Sequence, residues 1–281
     1  MISELRKARD RRARLLDLSG PTGRMPDVRL SRDSVEATAN AVRDLSGITV
    51  DDQRRFRDVR AALNGWITAV EGFGIMVSQT SGIPATEFLG MSVYFETQSL
   101  ILLNGSDEPQ RRIFTLFHEL GHLLSHTSGI CDVYTQSGTE SVCNSFAAAF
   151  LLPREALLTA LGNSEPAQAL DRLSTRFRVS QSAVAVQLHA CEMMSSNQLG
   201  RQLAIARAKS EEKKETQKSS PGFAPAHILK LRNLGETYVS VVLEAMHSGS
   251  ISPVDASYFL EAKLPTVDKM ELEIERRAVG R

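Results

Sequence analysis

Apolar residues recur at intervals of three and four over most of this chain, which is the spacing of amphipathic helices. Within one such stretch, Phe56, Val59 and Leu63 fall at near-helical spacing after an acidic start at Asp51. The same pattern predicts helices over 32–46, 51–72, 226–247 and 253–261. Helices therefore account for most of the expected structure.

Short apolar runs between these helices predict a small sheet. Residues 74–77 form one run, and the runs 90–94 and 99–104 are close enough to form a hairpin. Because a hairpin pairs its strands in opposite directions, we expect the sheet to be antiparallel. The fold class predicted from the pattern is α+β, mostly helical, with a small antiparallel β-sheet.

Composition divides the chain into five segments. A basic beginning and a stretch rich in Lys, Glu, Ser and Pro mark two of the boundaries. The expected segments are a basic N-terminal part at 1–30, a core at 31–160, a helical module at 161–204, a charged linker at 205–225 and a C-terminal helical unit at 226–281. The C-terminal unit carries no recognisable chemistry.

The most informative motif is His118–His122, which has the form H-E-x-x-H within an apolar helix. Residues four apart lie on one helix face, separated by about 6 Å along the axis. His118 and His122 can therefore bind one metal ion, with Glu119 beside the ion as a general base. This arrangement predicts a metal-dependent hydrolase.

A catalytic zinc usually needs a third protein ligand and leaves one position open. The stretch from Glu140 to Pro153 is predicted to be a second helix, with Glu140 and Asn144 on one face. Glu140 can bind the metal while Asn144 holds a ligand imidazole in place. The alternative is that Glu140 is an ordinary acidic residue in the first turn, which the helix dipole favours there.

Two other donors compete for the third position. His126 is four residues beyond His122, but a continuous helix would carry it about 12 Å past His118. We therefore expect a supporting or helix C-terminal role for His126, unless the helix breaks after Gly121. Cys131 with Asp132 is the other competitor, and the three cysteines lack the spacing of a structural zinc site.

Overall composition favours neither nucleic acid nor a membrane as a partner. Lys plus Arg and Asp plus Glu both total 33, so no global charge selects nucleic acid or membrane. No apolar run has membrane-spanning length. Three unpatterned cysteines, together with the lack of a secretory leader, predict a cytoplasmic protein.

Residues 167–192 have the pattern of a helix-turn-helix pair. The second helix offers Gln181, Ser182, Gln187 and His189 but no Arg or Lys, whereas phosphate contacts need cations. A packing or protein-recognition module is therefore preferred, and direct DNA binding stays open without being favoured.

With these motifs established, the stretch from Phe73 to Pro153 resembles the ImmA/IrrE family of zinc metallopeptidases. Arg111–His122 matches the family's core signature, and Glu140–Pro153 matches its second motif in order and spacing. The resemblance implies a zincin-like metallopeptidase core with Zn²⁺ as cofactor. The implied site residues are His118, His122 and Glu140 as ligands and Glu119 as the catalytic glutamate.

The resemblance also implies a reaction and a partner. Family members typically cleave a transcriptional repressor in phage, mobile-element or stress regulation, so the expected activity is metal-assisted peptide hydrolysis. The substrate could add as a strand to an edge at Leu100–Leu103 or its neighbour. Tyr134, His126 and Arg154 are open alternatives for the oxyanion donor. The alternative functions are a zinc-containing regulator that binds a repressor or DNA without efficient hydrolysis, and an interaction protein that has lost its metal.

Overall fold

The computed structural model describes residues 2–126, 129–131, 138–217 and 225–279. The helices are α1 (Ile2–Ser19), α2 (Val35–Ser46) after a 3-10 turn at Arg32–Ser34, α3 (Val50–Arg55), α4 (Val59–Glu71), α5 (Pro109–Leu124), α6 (Gly138–Leu151), α7 (Arg154–Leu161), α8 (Pro166–Phe177), α9 (Gln181–Ala190), α10 (Ser196–Gln217), α11 (Ala226–Leu234), α12 (Glu236–His247), α13 (Pro253–Phe259) and α14 (Leu264–Val279). The strands are β1 (Ile75–Thr80), β2 (Gly90–Val93), β3 (Ser99–Asn104) and β4 (Gly129–Cys131). This content confirms the predicted α+β, mostly helical class.

The four strands form one sheet in the order β1-β3-β2-β4. The predicted hairpin of β2 and β3 is present, with Met91 opposite Leu102. The sheet is mixed rather than wholly antiparallel, because β1 pairs with β3 in parallel. After β1 the chain forms β2 one strand position away, and β3 then fills the position between them. Because β3 runs opposite to β2, it runs in the same direction as β1.

Of the two alternatives predicted for an open edge, the strand with Leu100–Leu103 does not offer one. β3, which contains Leu100–Leu103, lies between β1 and β2, so both of its sides are already paired. In the part of the chain that the structure describes, the edges of the sheet are β1 and β4. The assignment to Leu100–Leu103 itself was wrong, because a hairpin pattern cannot reveal which distant strand joins it, whereas the alternative of a neighbouring strand agrees with the edge position of β1.

Alternation along the strands gives the sheet two buried faces. Val77 and Ile101 point toward α5 and join the large core cluster that includes Leu116 and Phe117. Met76 and Leu100 point the other way and join a second cluster with residues of α1, α11 and α12. We call these the α5 face and the C-terminal face of the sheet.

The helix predicted over 51–72 is in fact two helices, α3 and α4. Phe56 leaves the helical conformation with ψ 127°, and the Asp58 side chain caps α4 by accepting a hydrogen bond from the Ala61 N–H at 2.9 Å. An acidic cap at this position starts a new helix instead of continuing the old one.

The segment expected to be a charged linker, 205–225, begins inside α10, which continues to Gln217. Residues 218–224 lie outside the described residues. No helix in the described ranges combines the length and the hydropathy needed to cross a membrane. The five proposed segments themselves stay predictions.

The basic helix α1 packs against the molecule through several of its arginines. Arg12 donates hydrogen bonds to the backbone oxygens of Thr97 and Gln98, and its guanidinium lies 3.7 Å from the centre of the Phe95 ring. Arg11 pairs with Glu261 at 2.8 Å. α1 therefore connects the turn between β2 and β3 to the C-terminal helices.

Candidate metal centre

Helix α5 places the H-E-x-x-H motif in the interior of the protein. It begins with Pro109 at a position where its missing N–H costs nothing, and from Ile113 to Leu124 nearly every residue is buried. His118 and His122 are each about 2% exposed. Their spacing turns both imidazoles to the same side, toward α6.

Helix α6 brings a carboxylate to the two imidazoles. Glu140 Oε2 lies 3.0 Å from His118 Nε2, Glu140 Oε1 lies 3.2 Å from His122 Nε2, and the two Nε2 atoms are 3.1 Å apart. Three donors that converge in this way form a group able to hold a metal ion. Tetrahedral zinc with ligands about 2.0–2.1 Å away separates those ligands by about 3.3–3.4 Å. The donor set therefore fits zinc in both chemistry and spacing.

The close approach of α5 and α6 depends on Gly121. A Cβ atom at this position would lie 3.2 Å from both Cα and Cβ of Cys143, tighter than ordinary van der Waals contact. The glycine inside the motif thus permits the helix contact that delivers Glu140. Cys143 itself is fully buried at this contact.

Asn144 is positioned to orient one of the imidazoles. Its Oδ1 atom lies 2.8 Å from His118 Nδ1. An amide oxygen can only accept, so Nδ1 carries the proton and donates it. The Nε2 atom of His118 is then unprotonated, which is the state that an imidazole ligand requires.

Glu119 lies beside the donor set, fully buried. Its Oε2 accepts a hydrogen bond from Ser92 Oγ at 2.7 Å, and its Oε1 has no hydrogen-bond partner among the described residues. Burial raises the pKa of Glu119 to about 7, against the opposing effects of His118 and of the Ser92 hydrogen bond; Glu140 raises it further. One carboxylate oxygen of Glu119 is therefore fixed by Ser92, and the other can accept a proton or a hydrogen bond.

Strand β2 contributes two residues that the sequence analysis missed. Ser92 holds Glu119, and Gly90 lies so close to α5 that a Cβ would meet Thr115 Cγ2 at 2.5 Å and Glu119 Oε1 at 3.2 Å. A polar residue and a glycine in a buried strand were the available signals, because neither type is favoured in such a strand without a specific contact.

The residues predicted as a competing third ligand or as oxyanion donors do not join the three donors in the described part of the chain. His126 follows the end of α5 in a left-handed conformation with φ 55°, and its ring stacks on Tyr94 with 4.9 Å between centroids. It is therefore not on the continuous helix. Arg154, on α7, faces Glu36 at 3.7 Å. Tyr134, Asp132 and the Cys131 side chain lie outside the described residues.

The helix-turn-helix pattern corresponds to α8 and α9, and several of its polar side chains are buried or hydrogen-bonded within the protein. Gln187 is buried, Gln181 donates to Asp171 at 3.0 Å, and His189 Nδ1 lies 2.7 Å from the backbone oxygen of Met194. Arg172 donates to the backbone oxygen of Ala160 at 2.8 Å. Few of the side chains that could read bases are therefore free.

Comparison with known proteins agrees with this geometry. The model of the Peptidase_M78 family, described as the IrrE N-terminal-like domain, matches residues 71–189. The chain is also 30% identical over 145 residues to the radiation response metalloprotease IrrE of Deinococcus radiodurans. That alignment covers 46% of this chain and 43% of the relative, so less than half of either protein is compared. Both matches confirm the resemblance predicted from the two motifs.

Proposed function

We propose that this chain, whose residues 71–189 match the model of the Peptidase_M78 family, is a zinc-dependent endopeptidase acting on a partner protein. The observation that carries the proposal is the convergence of His118, His122 and Glu140 next to a buried Glu119. Glu119 has one oxygen held by Ser92 and one oxygen without a partner among the described residues.

The donor set supports zinc as the metal. Two neutral imidazoles and one carboxylate are a ligand set used by catalytic zinc, and they leave a coordination position open. Zinc in such a site supplies an activated water and polarises the scissile carbonyl. His118, His122 and Glu140 would hold the ion, and Asn144 would fix the His118 tautomer through the 2.8 Å contact at Nδ1.

Glu119 acts as the general base and then as the general acid. Its available Oε1 accepts the proton of the attacking water and later delivers a proton to the leaving amine. Ser92 keeps the carboxylate in one orientation through the 2.7 Å hydrogen bond to Oε2. Burial excludes bulk water from this exchange, which strengthens the electrostatic contacts of the carboxylate.

The proposed substrate is a transcriptional repressor of the helix-turn-helix type, in the cytoplasm. The family resemblance supports a repressor, and the relative named a radiation response metalloprotease fits a regulatory role. Direct DNA binding by α8 and α9 is not part of the proposal, because Gln187 is buried and Arg172 is engaged with backbone oxygens.

The test combines metal content with cleavage. The purified full chain should contain about one zinc per molecule by elemental analysis, and it should cleave a helix-turn-helix repressor, to be sought among the products of the neighbouring genes. Glu119→Gln should retain zinc and thermal stability but lose at least about a hundredfold in cleavage rate, the scale of general-base removal. Glu155→Gln, an exposed change on α7, is the matched control and should leave the rate unchanged.

Two outcomes would contradict the proposal. Full regulatory function in Glu119→Gln would favour a binding-only regulator in which zinc organises a recognition surface. Lack of zinc in the wild type, after growth in zinc-supplemented medium, would favour an interaction protein without a metal.

A further inference from the structure

Two arginines bind side chains at the carboxyl end of β1, and burial, together with the charge of a third arginine, Arg60, lowers the pKa of both. Arg60 comes from the first turn of α4, Arg112 from the first part of α5, and Arg232 from α11. The cluster lies at the other end of α5 from the metal centre, and the proposed peptidase function does not use it.

The strand β1 fixes two of these arginines as neighbours. Arg112 donates from Nη1 to Gln79 Oε1, and Arg232 donates from Nη2 to Ser81 Oγ at 3.2 Å. Gln79 and Ser81 are two residues apart, so their Cα atoms are separated by about 7 Å on an extended chain. The two guanidinium groups therefore bind adjacent side chains at one end of the strand.

Gly105 leaves the space that Arg232 occupies. A Cβ at Gly105 would lie 2.4 Å from the Thr80 backbone oxygen and 3.2 Å from Arg232 Nη2. The guanidinium therefore rests directly over the backbone that leaves β3. This contact holds Arg232 beside the end of the sheet, in addition to its hydrogen bonds to Ser81 and Asn233.

The positive charges of this cluster are poorly compensated. The acceptors of Arg232 are the uncharged Ser81 and Asn233, and neither Arg60 nor Arg232 forms an ion pair within the described ranges. The nearby acid Asp107 pairs with Arg111 at 3.3 Å. Asp107 is the acid that opposes the repulsion felt by Arg112, and it is shared with Arg111.

Arg112 is the arginine of this cluster whose charged side chain is buried at an unfavourable free energy. It is about 5% exposed, and its Nε has no hydrogen-bond partner among the described residues. Burial, and then the charge of Arg232, lower the pKa of Arg112 to about 10; Asp107 opposes the shift and Arg60 adds to it. A buried cation with unused donors and cationic neighbours is costly unless an anion completes the site.

We propose that Arg60, Arg112 and Arg232 bind a small tetrahedral oxyanion of the phosphate class. Guanidinium groups bind such anions through paired, charge-assisted hydrogen bonds. The near-complete burial of Arg112 admits a small anion more readily than an acidic segment of another protein. Because Arg232 belongs to α11 and the other two arginines to α4 and α5, the bound anion joins the C-terminal helices to the peptidase domain.

The experiment titrates the full zinc-loaded chain with sodium phosphate, using sodium chloride at matched ionic strength as the reference. Phosphate at ten times its Kd should raise the Tm by about 2–4 °C beyond the effect of chloride. Calorimetric titration gives the Kd. Arg60→Gln and Arg232→Gln should each weaken phosphate binding at least about tenfold, the loss expected for a charge-assisted hydrogen bond.

Arg57→Gln is the matched control, because Arg57 is exposed, lies three residues before Arg60 and pairs with Asp58. It should bind phosphate like the wild type. Arg60 is itself exposed, so its variant is expected to fold even if Arg232→Gln does not. Equal phosphate responses in the wild type and Arg60→Gln would overturn the proposal and locate any binding elsewhere, including the metal centre. The absence of a phosphate-specific response in the wild type would also overturn it.

Discussion

The two faces of the sheet differ in where their covering residues come from. On the α5 face, Ser92 contacts Glu119 across 27 positions of sequence, and the proposed metal donors lie within one compact stretch. On the C-terminal face, Leu100 packs in a cluster with Leu15 of α1 and Tyr238 of α12. That face is therefore covered by both ends of the chain, outside the matched residues 71–189.

The α5 face therefore carries the candidate functional groups, whereas the C-terminal face contributes apolar packing. The α5 face carries groups whose roles depend on exact positions, such as the Ser92 hydroxyl against the Glu119 carboxylate. The C-terminal face carries apolar side chains such as Met76 and Leu100, whose contribution depends mainly on volume and burial. Both faces share strands, however, so a change on one face can reach the other through the backbone.

The largest effect is expected from removal of a metal donor on the α5 face. Changes in residues that merely support a ligand typically cost about 10–100-fold in metal affinity, so His122→Ala should cost more than about a hundredfold. Glu140→Ala should behave similarly. Competition with a chromophoric zinc chelator measures the affinity of each variant.

His126→Ala is the matched control for this prediction. It also removes an imidazole, but His126 lies beyond the end of α5 and stacks on Tyr94. It should keep its zinc. Zinc loss in His126→Ala, or full affinity in Glu140→Ala, would show that the third donor has been assigned to the wrong residue.

The sequence was most informative where a function depends on local spacing. His118 and His122 are four apart on one helix, so their shared face could be predicted directly. The ligand role of Glu140 was predicted from a second helix and the family resemblance. The 3.0 Å distance between Glu140 Oε2 and His118 Nε2 could not be predicted in this way. The hairpin of β2 and β3 was predictable because its strands are close in sequence.

Contacts between distant segments were not predictable from pattern alone. The parallel pairing of β1 with β3 depends on which strand fills a gap in the sheet, and periodicity carries no such information. The hydrogen bond from Thr237 to Glu71 joins residues 166 positions apart. Arg232 and Ser81 are 151 positions apart, so the arginine cluster also has no local signature.

The second prediction tests whether the two faces are separable. Leu100→Ala should reduce the free energy of unfolding by about 2–5 kcal/mol, because Leu100 is fully buried on the C-terminal face. Its zinc affinity should stay near the wild-type value. Urea denaturation gives the stability, and chelator competition gives the affinity.

Ile101→Ala is the matched partner of that variant, since Ile101 is the next residue, is equally buried and points toward α5. It should lose a similar amount of stability, and it should also weaken zinc binding by disturbing the support of α5. If Leu100→Ala weakened zinc binding as much as Ile101→Ala, the two faces would be coupled and the proposed division would fail.

A smaller, pH-dependent effect is expected where α4 meets α12. Glu71 is buried there, with its Oε2 accepting a hydrogen bond from Thr237 Oγ1 at 2.8 Å and with Glu236 nearby. Burial raises the pKa of Glu71 from 4.5 to about 8. Between these two pH values, the folded protein keeps the proton on Glu71, whereas the unfolded chain has lost it.

The contribution of Glu71 to stability should be fully present below about pH 4.5 and should decline as the pH rises to about 8. The slope is at most about 1.4 kcal/mol per pH unit, the value for one proton. Glu71→Gln, which can still accept from Thr237, should remove this part of the decline. Urea denaturation at pH 6, 7, 8 and 9 compares the two proteins, and parallel curves would contradict the prediction.

The smallest effect is expected from the hydroxyl that holds Glu119. Ser92→Ala removes the hydrogen bond to Oε2 and leaves a buried carboxylate less well oriented. A hydrogen bond to a charged group is worth about 1.5–3 kcal/mol, part of which a neighbouring water can replace, so cleavage should slow about tenfold. Zinc content should not change, because Ser92 does not contact the three donors.

Ser78→Ala provides the matched control, because Ser78 is also a buried strand serine, and its hydroxyl has no hydrogen-bond partner among the described residues. It lies on β1, where alternation turns it to the same side as Met76, away from α5. Its cleavage rate should match the wild type. Equal loss in both serine variants would attribute the effect to general disturbance of the sheet. Slower cleavage in Ser92→Ala alone, with zinc retained, would assign the effect to the orientation of Glu119. It would also show that exact side-chain positions matter on the α5 face of the sheet.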